Sequence, residues 1–490
     1  MVIALSMNDQ KGASSIALAV ATVVAGASLY YLANRDDSSK QKIHGKPTVP
    51  YASPGIVESI REFSGEKCPE FMLSLVQEAK QNGSVDGSYR LPLSVGGLYV
   101  IASAKVCREI LLDPTSDKIP QFYHPYNEVT GTKASIFTSV NSEYQTMVRK
   151  CTRHAFSTRE VARMSSICRS IIDHWIEETA IPLAKSGTPF DPSQEMVKVV
   201  MKVICLAGFE YEVSDEECAQ FIDNMKICLH EASMLASSPF RILVSPLIGA
   251  YREMRISARK AQEFAVKVLD TYRKNPSKST ANTLIKLIDS NENFQSDKDR
   301  IGEMIIYLLA GHDTTGFTLS TTLVLLAKHP HICDKLRSEL GKVPPELWDT
   351  ECDYLKFVIK ESMRLYTAVP LNGFRKVSKD FETEDGRIIP KGSSCALLNL
   401  AYGRDDRYFE NPEEFNPDRW YNAREEMKGA ILSFAAGSRG CVGQVLAMAK
   451  LNTIIPRIVT EFALELTKEG ELDYFLTWKT IDAQISLKKV

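Results

Sequence analysis

The sequence lacks paired cysteines and any large excess of charge, and each absence excludes a class of protein. Its 490 residues include eleven cysteines, an odd number, and no two of them form a Cys-x-x-Cys pair. This usage excludes a disulfide framework or a zinc ribbon and indicates a reducing compartment. The formal net charge is only -2, so no nucleic acid is expected as a partner.

One apolar segment interrupts an otherwise soluble composition, in which 44% of residues are hydrophobic and 24% are charged. Residues 16–33 carry no charge, and as a helix they would span about 27 Å, close to the thickness of a hydrocarbon core. Basic residues follow this segment, which places the rest of the chain on the cytosolic side. We therefore expect an N-terminal segment, residues 1–35, with one transmembrane anchor at 16–33. A cleaved signal peptide is the alternative.

The remaining sequence predicts one large, mostly helical body. Residues 36–55 are charged and contain spaced prolines, which suit a stiff hinge. Helical patterns dominate residues 56–490, and Asp385-Gly386 predicts a hairpin turn. Short strand-like pieces occur at residues 91–101, 396–400 and 481–487. The expected fold is mainly α with small β-sheets (α+β), in a single large catalytic domain.

The first candidate site is a glycine-rich turn, FAAGSRGCVG, which begins at Phe434 and precedes a helical segment. Its glycines, among them Gly437 and Gly443, let the backbone turn tightly and approach a flat ligand. A helix N-terminus stabilises a thiolate, so Cys441 could bind a metal or act as a nucleophile. Arg439 could pair with an acidic group of the same ligand. An inert, buried cysteine is the alternative.

The second candidate site lies inside a long apolar helix expected from about residue 300 to residue 328. The sequence AGHDTTG begins at Ala310, and each glycine in mid-helix costs about 1 kcal/mol relative to alanine. The Thr314 hydroxyl can bond back to the Ala310 carbonyl and bend the helix. We expect the helix to open here into a groove lined by Asp313 and Thr314, for a small ligand and for protons. A packing notch for a crossing helix is the alternative.

A third pattern is the acid–base pair of Glu361 and Arg364, three residues apart on a helix. By itself such a pair is typical of a helix surface and contributes a few tenths of a kcal/mol. Arg419 lies in a charged, proline-punctuated coil further along the chain. It could join the pair in a buried charge network.

Together these pieces resemble the haem-thiolate cytochromes P-450, in the microsomal, membrane-anchored form. Residues 434–443 match the family's cysteine signature, Phe-x-x-Gly-x-Arg-x-Cys-x-Gly, and residues 310–315 match its oxygen-groove motif. The Glu-x-x-Arg motif is matched at residues 361–364, and the Pro-x-Arg-Phe/Trp motif at residues 417–420. The order and spacing of the motifs also fit the family, which implies the cytochrome P-450 fold.

The resemblance implies a haem b cofactor with Cys441 as the axial thiolate, a ligand that favours O–O cleavage. Thr314 would hold dioxygen by a hydrogen bond, and Asp313 would relay protons. The resemblance assigns the following residues to haem binding: Arg149, Ala310, Gly311, Arg375, Phe434, Gly437, Arg439 and Gly443. The residues with an expected structural role are Glu361, Arg364 and Arg419.

The implied reaction inserts one atom of O2 into a lipophilic substrate, such as a fatty acid, sterol, terpenoid or xenobiotic. The sequence contains no flavin or dinucleotide motif, so NADPH would supply electrons through a separate flavin-containing reductase, with cytochrome b5 as a further candidate donor. The expected location is the endoplasmic reticulum membrane, single-pass, with the catalytic domain cytosolic and the anchor in membrane lipid. Substrate contacts are expected near Leu309 and from residues 122–137, 234–248 and 369–374.

Two alternatives to this function remain open from the sequence. One is a haem-thiolate isomerase or peroxygenase, and the other is a haem- or ligand-binding protein without turnover. Relatives of the first kind usually alter the threonine groove, whereas this chain keeps it.

Several positions depart from the family pattern, and two of them bear on the site. Gln145 replaces a common Trp four residues before Arg149, so one haem propionate contact is either lost or made by the Gln amide. Lys450 replaces a common acidic residue and is expected to add positive charge near the proximal face. With Lys150 and Arg153, Lys450 is therefore a candidate for docking an acidic reductase surface.

Overall fold

The protein is described here by a computed structural model that covers residues 42–93, 96–140, 142–276 and 280–490. The predicted anchor at 16–33 and the first part of the predicted hinge lie outside these residues. Every helix in the described ranges is too short or too polar to span a bilayer. The boundaries that the sequence predicts at residues 35 and 55 stay predictions.

Helices dominate the described chain. The α-helices are α1 (Ile56–Phe63), α2 (Cys68–Gln81), α3 (Ala104–Leu112), α4 (Pro120–Tyr123), α5 (Asn127–Thr130), α6 (Ser142–Thr152), α7 (Thr158–Trp175), α8 (Ile181–Ser186), α9 (Pro192–Phe209), α10 (Asp215–Ser237), α11 (Pro239–Val244), α12 (Gly249–Lys274), α13 (Leu284–Asp289), α14 (Asp297–Lys328), α15 (Pro330–Leu340), α16 (Trp348–Glu351), α17 (Asp353–Leu365), α18 (Asn399–Tyr402), α19 (Glu425–Gly429) and α20 (Gln444–Glu461). A π-helical turn covers Ile176–Ala180, and short 3-10 turns cover His124–Tyr126, Arg153–Phe156, Ser245–Leu247, Pro345–Leu347, Pro417–Trp420 and Gly437–Arg439.

The strands are short and form small sheets. They are β1 (Lys42–Ile43), β2 (Lys46–Pro47), β3 (Tyr89–Leu91), β4 (Leu98–Ile101), β5 (Asp117–Lys118), β6 (Leu371–Lys376), β7 (Phe381–Glu382), β8 (Ile388–Ile389), β9 (Ser394–Leu398), β10 (Phe462–Lys468), β11 (Glu471–Phe475), β12 (Thr477–Ile481) and β13 (Gln484–Lys489). The largest sheet has the order β3-β4-β9-β6-β5, in which only β4 and β9 run parallel. The pairs β1-β2, β7-β8, β10-β13 and β11-β12 are antiparallel.

The strand predicted at 91–101 is two separate strands, since β3 ends at Leu91 and β4 begins at Leu98. Gly96 and Gly97 have φ of 82° and 84°, a left-handed conformation that breaks an extended segment. The hairpin predicted at Asp385-Gly386 is confirmed, since β7 and β8 pair across it and Gly386 has φ of 80°. The strand expected at 396–400 ends earlier, at Leu398, where α18 begins.

Helix α14 crosses the core and begins at a sequence-encoded cap. The Ser296 hydroxyl accepts a hydrogen bond from the Asp299 N–H, and acidic residues in the first turn favour the helix dipole. The helix is continuous from Asp297 to Lys328, so the predicted opening at the AGHDTTG sequence is not observed. The glycines serve close packing instead, because a Cβ on Gly316 would lie 2.8 Å from the Val197 Cα of α9.

A buried charge network joins α17 to the coil before α19. Glu361 and Arg364 are each 0% exposed and form a bidentate pair, with Nε–Oε2 and Nη2–Oε1 distances of 2.9 and 2.8 Å. Glu361 also accepts from the Arg419 guanidinium at 2.9 Å and from the Trp420 indole N–H at 2.9 Å. We call Glu361, Arg364 and Arg419 the Glu361 cluster. This geometry excludes the surface-pair alternative.

Candidate active site around Cys441

A cavity of about 320 Å³ lies between the cysteine loop, α14 and the start of α20. The predicted site residues that line it are Arg149, Ala310, Gly311, Thr314, Phe434, Arg439, Cys441 and Gly443. A second cavity of about 180 Å³ adjoins it, shares Lys118 and Arg439 with it, and is also lined by Arg375. Residues that lie far apart in the sequence therefore line the same pair of adjoining cavities.

The cysteine loop turns tightly before α20. The Cys441 N–H donates to the Phe434 carbonyl at 2.9 Å, which closes the turn. Gly437 has φ of 70°, and a Cβ there would lie 2.4 Å from the Leu111 carbonyl oxygen. Only glycine fits this position, since any side chain would meet both the strain of a positive φ and the backbone of α3. Gly437 thus shapes the loop without lining the cavity.

Cys441 differs from the other ten cysteines in its exposure. Nine of them are buried and Cys151 is half-buried, whereas the Cys441 side chain is exposed at the cavity. Partial burial raises the pKa of Cys441, while the N–H groups of Gly443 and Gln444 and the charge of Arg149 act to lower it. These N–H groups at the start of α20 point to the position where a thiolate would be stabilised.

Helix α6 holds the cysteine loop from the other side. Gln145 is buried, and its amide donates to the Ser438 carbonyl at 3.0 Å. One turn later Arg149 donates to the Gly440 carbonyl at 2.7 Å. The Gln that replaces the family's Trp therefore supports the loop that carries Cys441.

Four cations surround the edge of the cavities, and we call Lys118, Arg149, Arg375 and Arg439 the cationic ring. They donate to neutral acceptors only: Arg439 to the carbonyls of residues 139 and 140 at 3.1 and 3.3 Å, and Arg375 to a tyrosine hydroxyl at 3.2 Å. Lys118 donates to the Phe137 carbonyl. Within the described ranges none of the four is ion-paired with a carboxylate.

Mutual repulsion is visible in the ionisation of the cationic ring. Burial, together with the charges of Arg375 and Arg439, holds the pKa of Lys118 well below its usual range. Burial and the nearby Arg375 also lower the pKa of Arg439. Buried cations without counter-charges are costly, and an anionic ligand would relieve that cost. A flat cofactor with two carboxylates, such as haem, fits this donor set and the exposed Cys441 thiol.

Lys118 was missed by sequence reasoning. It follows Asp117 in a short edge strand and belongs to no motif, so its spacing gives no signal. Only the pairing of β5 with β6 sets Lys118 beside Arg375. The contact therefore depends on tertiary structure.

Thr314 and Asp313 lie side by side on α14 but face different surroundings. Thr314 lines the cavity, and its hydroxyl donates to the Ala310 carbonyl at 3.1 Å, as the sequence predicts. Asp313 is 8% exposed and accepts a hydrogen bond from the Thr477 hydroxyl of β12 at 2.7 Å. Asp313 is therefore held by β12, and it is not among the residues that line the cavity.

The prediction that Lys450 belongs to a basic docking face is wrong. Its side chain is 1% exposed, and its ammonium donates to the Gly311 carbonyl of α14 at 2.7 Å. Position 450 lies on the face of α20 that also buries Leu446 and Ile454, which turns the side chain inward. Lys150 and Arg153, in contrast, are exposed.

Glu303 is a second buried charge that the sequence did not reveal. It is 0% exposed and accepts from the Ile136 N–H at 2.9 Å and from the Tyr144 hydroxyl at 2.8 Å. Burial raises the pKa of Glu303 to about 7, although both hydrogen bonds act to lower it. The carboxyl thus ties α14 to the loop that carries Ile136 and Phe137 into the cavity.

The segments expected to contact substrate contribute unequally. Residues 122–137 and 369–374 line the cavities with Phe122, Tyr126, Phe137, Val369, Leu371 and Phe374. From residues 234–248 only Ala236 and Ser237 reach a cavity, while Leu243 and Leu247 are 77% and 60% exposed. Leu309 is buried away from the lining, and Ile306 takes its place.

Comparison with known proteins places these features in one family. The family profile described as cytochrome P450 matches residues 79–488. The chain is 35% identical over 207 residues to cytochrome P450 4V2 of Homo sapiens, an alignment that covers 40% of this chain and 39% of that protein. It is 28% identical over 321 residues to cytochrome P450 71A8 of Mentha piperita, covering 61% and 64%. These alignments span less than two thirds of the relatives' own lengths.

Structural comparison extends over more of the chain. The fold matches the crystal structure of the cytochrome P450DA heme domain with a TM-score of 0.73 and 20% sequence identity. The match covers 91% of this chain and 98% of that one. At this identity the likeness supports the fold alone.

Proposed function

The chain belongs to the cytochrome P450 family, and we propose that it is a haem-thiolate monooxygenase that inserts one atom of O2 into a lipophilic organic substrate. One observation carries the proposal: the exposed thiol of Cys441 and the hydroxyl of Thr314 line the same cavity, whose edge holds unpaired cations. The isomerase, peroxygenase and simple binding alternatives lack a feature of their own among these residues.

The proposed cofactor is haem b, held by Cys441 and by the cationic ring. When bound, a thiolate-ligated haem supplies the activation of dioxygen. Cys441 would supply the thiolate that binds the haem iron, and the N–H groups at the start of α20 would stabilise that thiolate. Arg149, Arg375 and Arg439 serve as donors to the propionates, with Lys118 as a fourth. Gly311, Gly443 and the small Ala310 leave room for a flat ring in the cavity, and Gly437 shapes the loop that carries Cys441.

Thr314 and Asp313 are proposed to handle dioxygen and protons. The Thr314 hydroxyl now donates to its own helix, at the Ala310 carbonyl, and a short rotation would let it donate to a ligand in the cavity. Asp313 is the neighbouring carboxylate, and the Thr477 hydroxyl fixes one of its oxygens. We propose that Asp313 supplies protons toward the cavity and that Thr314 passes them on.

The substrate is proposed to be lipophilic, such as a fatty acid, sterol, terpenoid or xenobiotic. Aromatic side chains support this class, because Phe122 and Phe374 stack at 3.8 Å between ring centroids beside the smaller cavity. Tyr126 and Phe137 also line this cavity and pack edge to face, with their ring centroids 5.4 Å apart. These aromatic faces favour contact with an apolar ligand.

The proposed electron source is NADPH through a separate flavin-containing reductase, with cytochrome b5 as a second donor. The exposed Lys150 and Arg153 support a basic docking surface near α6. We also propose that residues 16–33 anchor the chain in the endoplasmic reticulum membrane, with the catalytic domain in the cytosol. The exposed apolar side chains of Leu243 and Leu247 are consistent with contact to lipid.

The decisive experiment is a carbon-monoxide difference spectrum of the reduced protein, with Cys441→Ser beside the wild type. A red-shifted Soret band in the wild type, lost in the variant, is expected from thiolate ligation. Its absence in folded, haem-loaded wild-type protein would sink the proposal.

Turnover separates a monooxygenase from its alternatives. With NADPH and reductase, wild-type protein is expected to oxidise members of a lipophilic panel, and Thr314→Ala to consume NADPH with about tenfold less product. Product from peroxide alone, and none from NADPH with reductase, would indicate a peroxygenase. A normal spectrum with no oxidation of any compound would indicate a binding protein.

A further inference from the structure

Lys450 is a buried lysine that joins the two helices of the active site. It lies on α20, nine residues after Cys441, and its ammonium donates to the Gly311 carbonyl of α14 at 2.7 Å. Both Lys450 and Gly311 line the larger cavity. The contact therefore connects the helix that follows the cysteine loop with the helix that carries Thr314.

Among the residues that the structure describes, no carboxylate forms an ion pair with Lys450. The titratable groups that interact electrostatically with it are Cys168 of α7, Cys205 of α9 and His312 of α14. Burial lowers the pKa of Lys450 to about 8, whereas burial raises the pKa of Cys168 to about 12 and that of Cys205 well above its usual range. Burial also lowers the pKa of His312. Lys450 is thus the group of this set that titrates near pH 8.

The Gly311 carbonyl belongs to a turn of α14 that receives several side-chain donors. His312 Nδ1 contacts the Leu308 carbonyl at 2.7 Å, and the Thr314 hydroxyl donates to the Ala310 carbonyl at 3.1 Å. These two contacts come from within α14. Lys450 is different because its donor is charged and comes from another helix.

Burying an uncompensated ammonium costs free energy, and an apolar residue would fill the same space without that cost. What the lysine adds is a directional, charge-assisted hydrogen bond to one carbonyl. That carbonyl lies three residues before Thr314 on a continuous helix. Moving the Gly311 peptide would therefore move the base of the turn on which Thr314 stands.

We propose that Lys450 is a positioning residue, whose bond to the Gly311 carbonyl sets the Thr314 turn of α14 relative to the helix that follows Cys441. The inference rests on the proposed monooxygenase function. Lys450 does not touch the reacting atoms; it acts through Gly311. The consequence is that loss of this bond lowers the yield of product per electron pair more than it lowers haem binding.

The first test compares Lys450→Met with Lys342→Met, which removes an exposed lysine just after the end of α15 (its side chain is 63% exposed). In Lys450→Met we expect an unchanged carbon-monoxide spectrum but at least a threefold fall in product formed per NADPH consumed. Lys342→Met is expected to match the wild type. A coupling ratio in Lys450→Met equal to that of the wild type would overturn the positioning role.

The second test uses pH and does not depend on turnover. Because the folded protein binds fewer protons than the unfolded chain between about pH 8 and 10.5, Lys450 makes stability rise with pH in that window. The thermal unfolding midpoint of the wild type should therefore rise relative to Lys450→Met from pH 8 to pH 10.5. Parallel profiles would contradict a buried, cationic Lys450.

If Lys450→Met does not accumulate as folded protein, measurements on the wild type alone test the proposal. Its coupling ratio is expected to fall with a midpoint near pH 8, as the ammonium loses its charge and the bond weakens; a flat profile from pH 7 to 9.5 would overturn the proposal. A wild type without the thiolate band overturns the proposed function and the positioning role together. A normal band with unaltered coupling in the variant overturns the positioning role only.

Discussion

The Glu361 cluster and the cationic ring are both groups of charge in the interior, yet they are built in opposite ways. Glu361 and Arg364 are fully buried, whereas in the cationic ring Lys118 and Arg375 are buried and Arg149 and Arg439 are half-buried. In the Glu361 cluster, each carboxylate oxygen accepts from a guanidinium, and Arg364 also donates to the carbonyls of Gly403 and Pro412 at 2.6 Å. In the cationic ring, each cation donates to neutral acceptors and repels its neighbours. The Glu361 cluster is complete within the chain, whereas the cationic ring would be completed by the anionic cofactor that we propose.

This difference teaches how to separate a structural charge from a functional one. A buried ion pair with satisfied hydrogen bonds fixes local structure, and it needs nothing from outside the chain. Buried cations without a counter-charge store an electrostatic cost that an anionic cofactor recovers on binding. Whether a charged group has its partners within the chain therefore indicates a ligand site better than its burial does.

Breaking the Glu361 cluster should have the largest effect. Glu361→Gln leaves two buried guanidinium groups without their anion, and we expect a loss of about 3–5 kcal/mol in the free energy of unfolding. Lys356→Met removes the lysine of the exposed Lys356–Asp353 pair on the same helix and should cost less than about 0.5 kcal/mol. Urea unfolding of both variants measures the difference. If Glu361→Gln lowers the free energy of unfolding by less than about 1 kcal/mol, Glu361 is not the anion on which the two guanidinium groups depend.

Glu303 sharpens the comparison, because it is a buried carboxylate with only neutral donors. Its folded pKa of about 7 lies above the usual 4.5, so the folded protein binds more protons in this window and stability is lost as pH rises from 4.5 through 7. Glu303→Gln should remove this pH-dependent loss. At pH 8 its free energy of unfolding should exceed that of the wild type by about 2–3 kcal/mol. Unfolding measured at pH 5 and pH 8 tests this. An equal difference between variant and wild type at both values would contradict it.

Opening the cationic ring should affect cofactor binding more than folding. Arg439→Gln removes one of the proposed propionate donors, and we expect haem affinity to fall about ten- to hundredfold. Stability of the haem-free protein should not decrease, since repulsion with Arg375 is relieved. Haem titration followed by Soret absorbance gives the affinity, and Arg457→Gln, at the outer Arg457–Asp173 pair of α20, is the matched control. A variant that loses stability in its haem-free form but keeps the wild-type affinity for haem would refute the role of the cationic ring in cofactor binding.

Exposed cations should give the smallest effect. Replacing Lys150 and Arg153 by Gln leaves the unfolding free energy unchanged within about 0.5 kcal/mol. At low ionic strength we expect the KM for the reductase to rise about two- to tenfold, and the difference to shrink in 0.5 M salt. Steady-state kinetics at two salt concentrations measures it. A salt-independent change would argue against electrostatic docking.

Local chemistry made part of the site predictable. The turn around Cys441, the start of α20 and the bond from Thr314 to the Ala310 carbonyl follow from short-range rules for glycine, helix ends and threonine. The hairpin at Gly386 follows from the same kind of rule. In each case the determining atoms lie within about ten residues of one another.

Long-range packing decided the rest. Lysine is usually a surface residue, and the burial of Lys450 follows only from its position on the face of α20 that contacts α14. Asp313 was expected in the cavity, but β12 lies against its side of the helix and supplies Thr477. Lys118 and Glu303 belong to no motif, and their partners are brought near by β6 and by the loop around Ile136. Their roles depend on contacts between distant segments, which spacing along the chain does not encode.

The parallel pairing of β4 with β9 has a consequence for synthesis of the chain. Leu98 pairs with Ser394, so about 300 residues separate partners in the centre of the main sheet. At a translation rate of about 5–20 residues per second, β4 waits about 15–60 s on the ribosome before its partner emerges. During that time β3 covers one edge of β4, while the other edge can pair with any strand that approaches. The nascent chain is therefore most in need of a chaperone before the segment that contains Cys441 has been made.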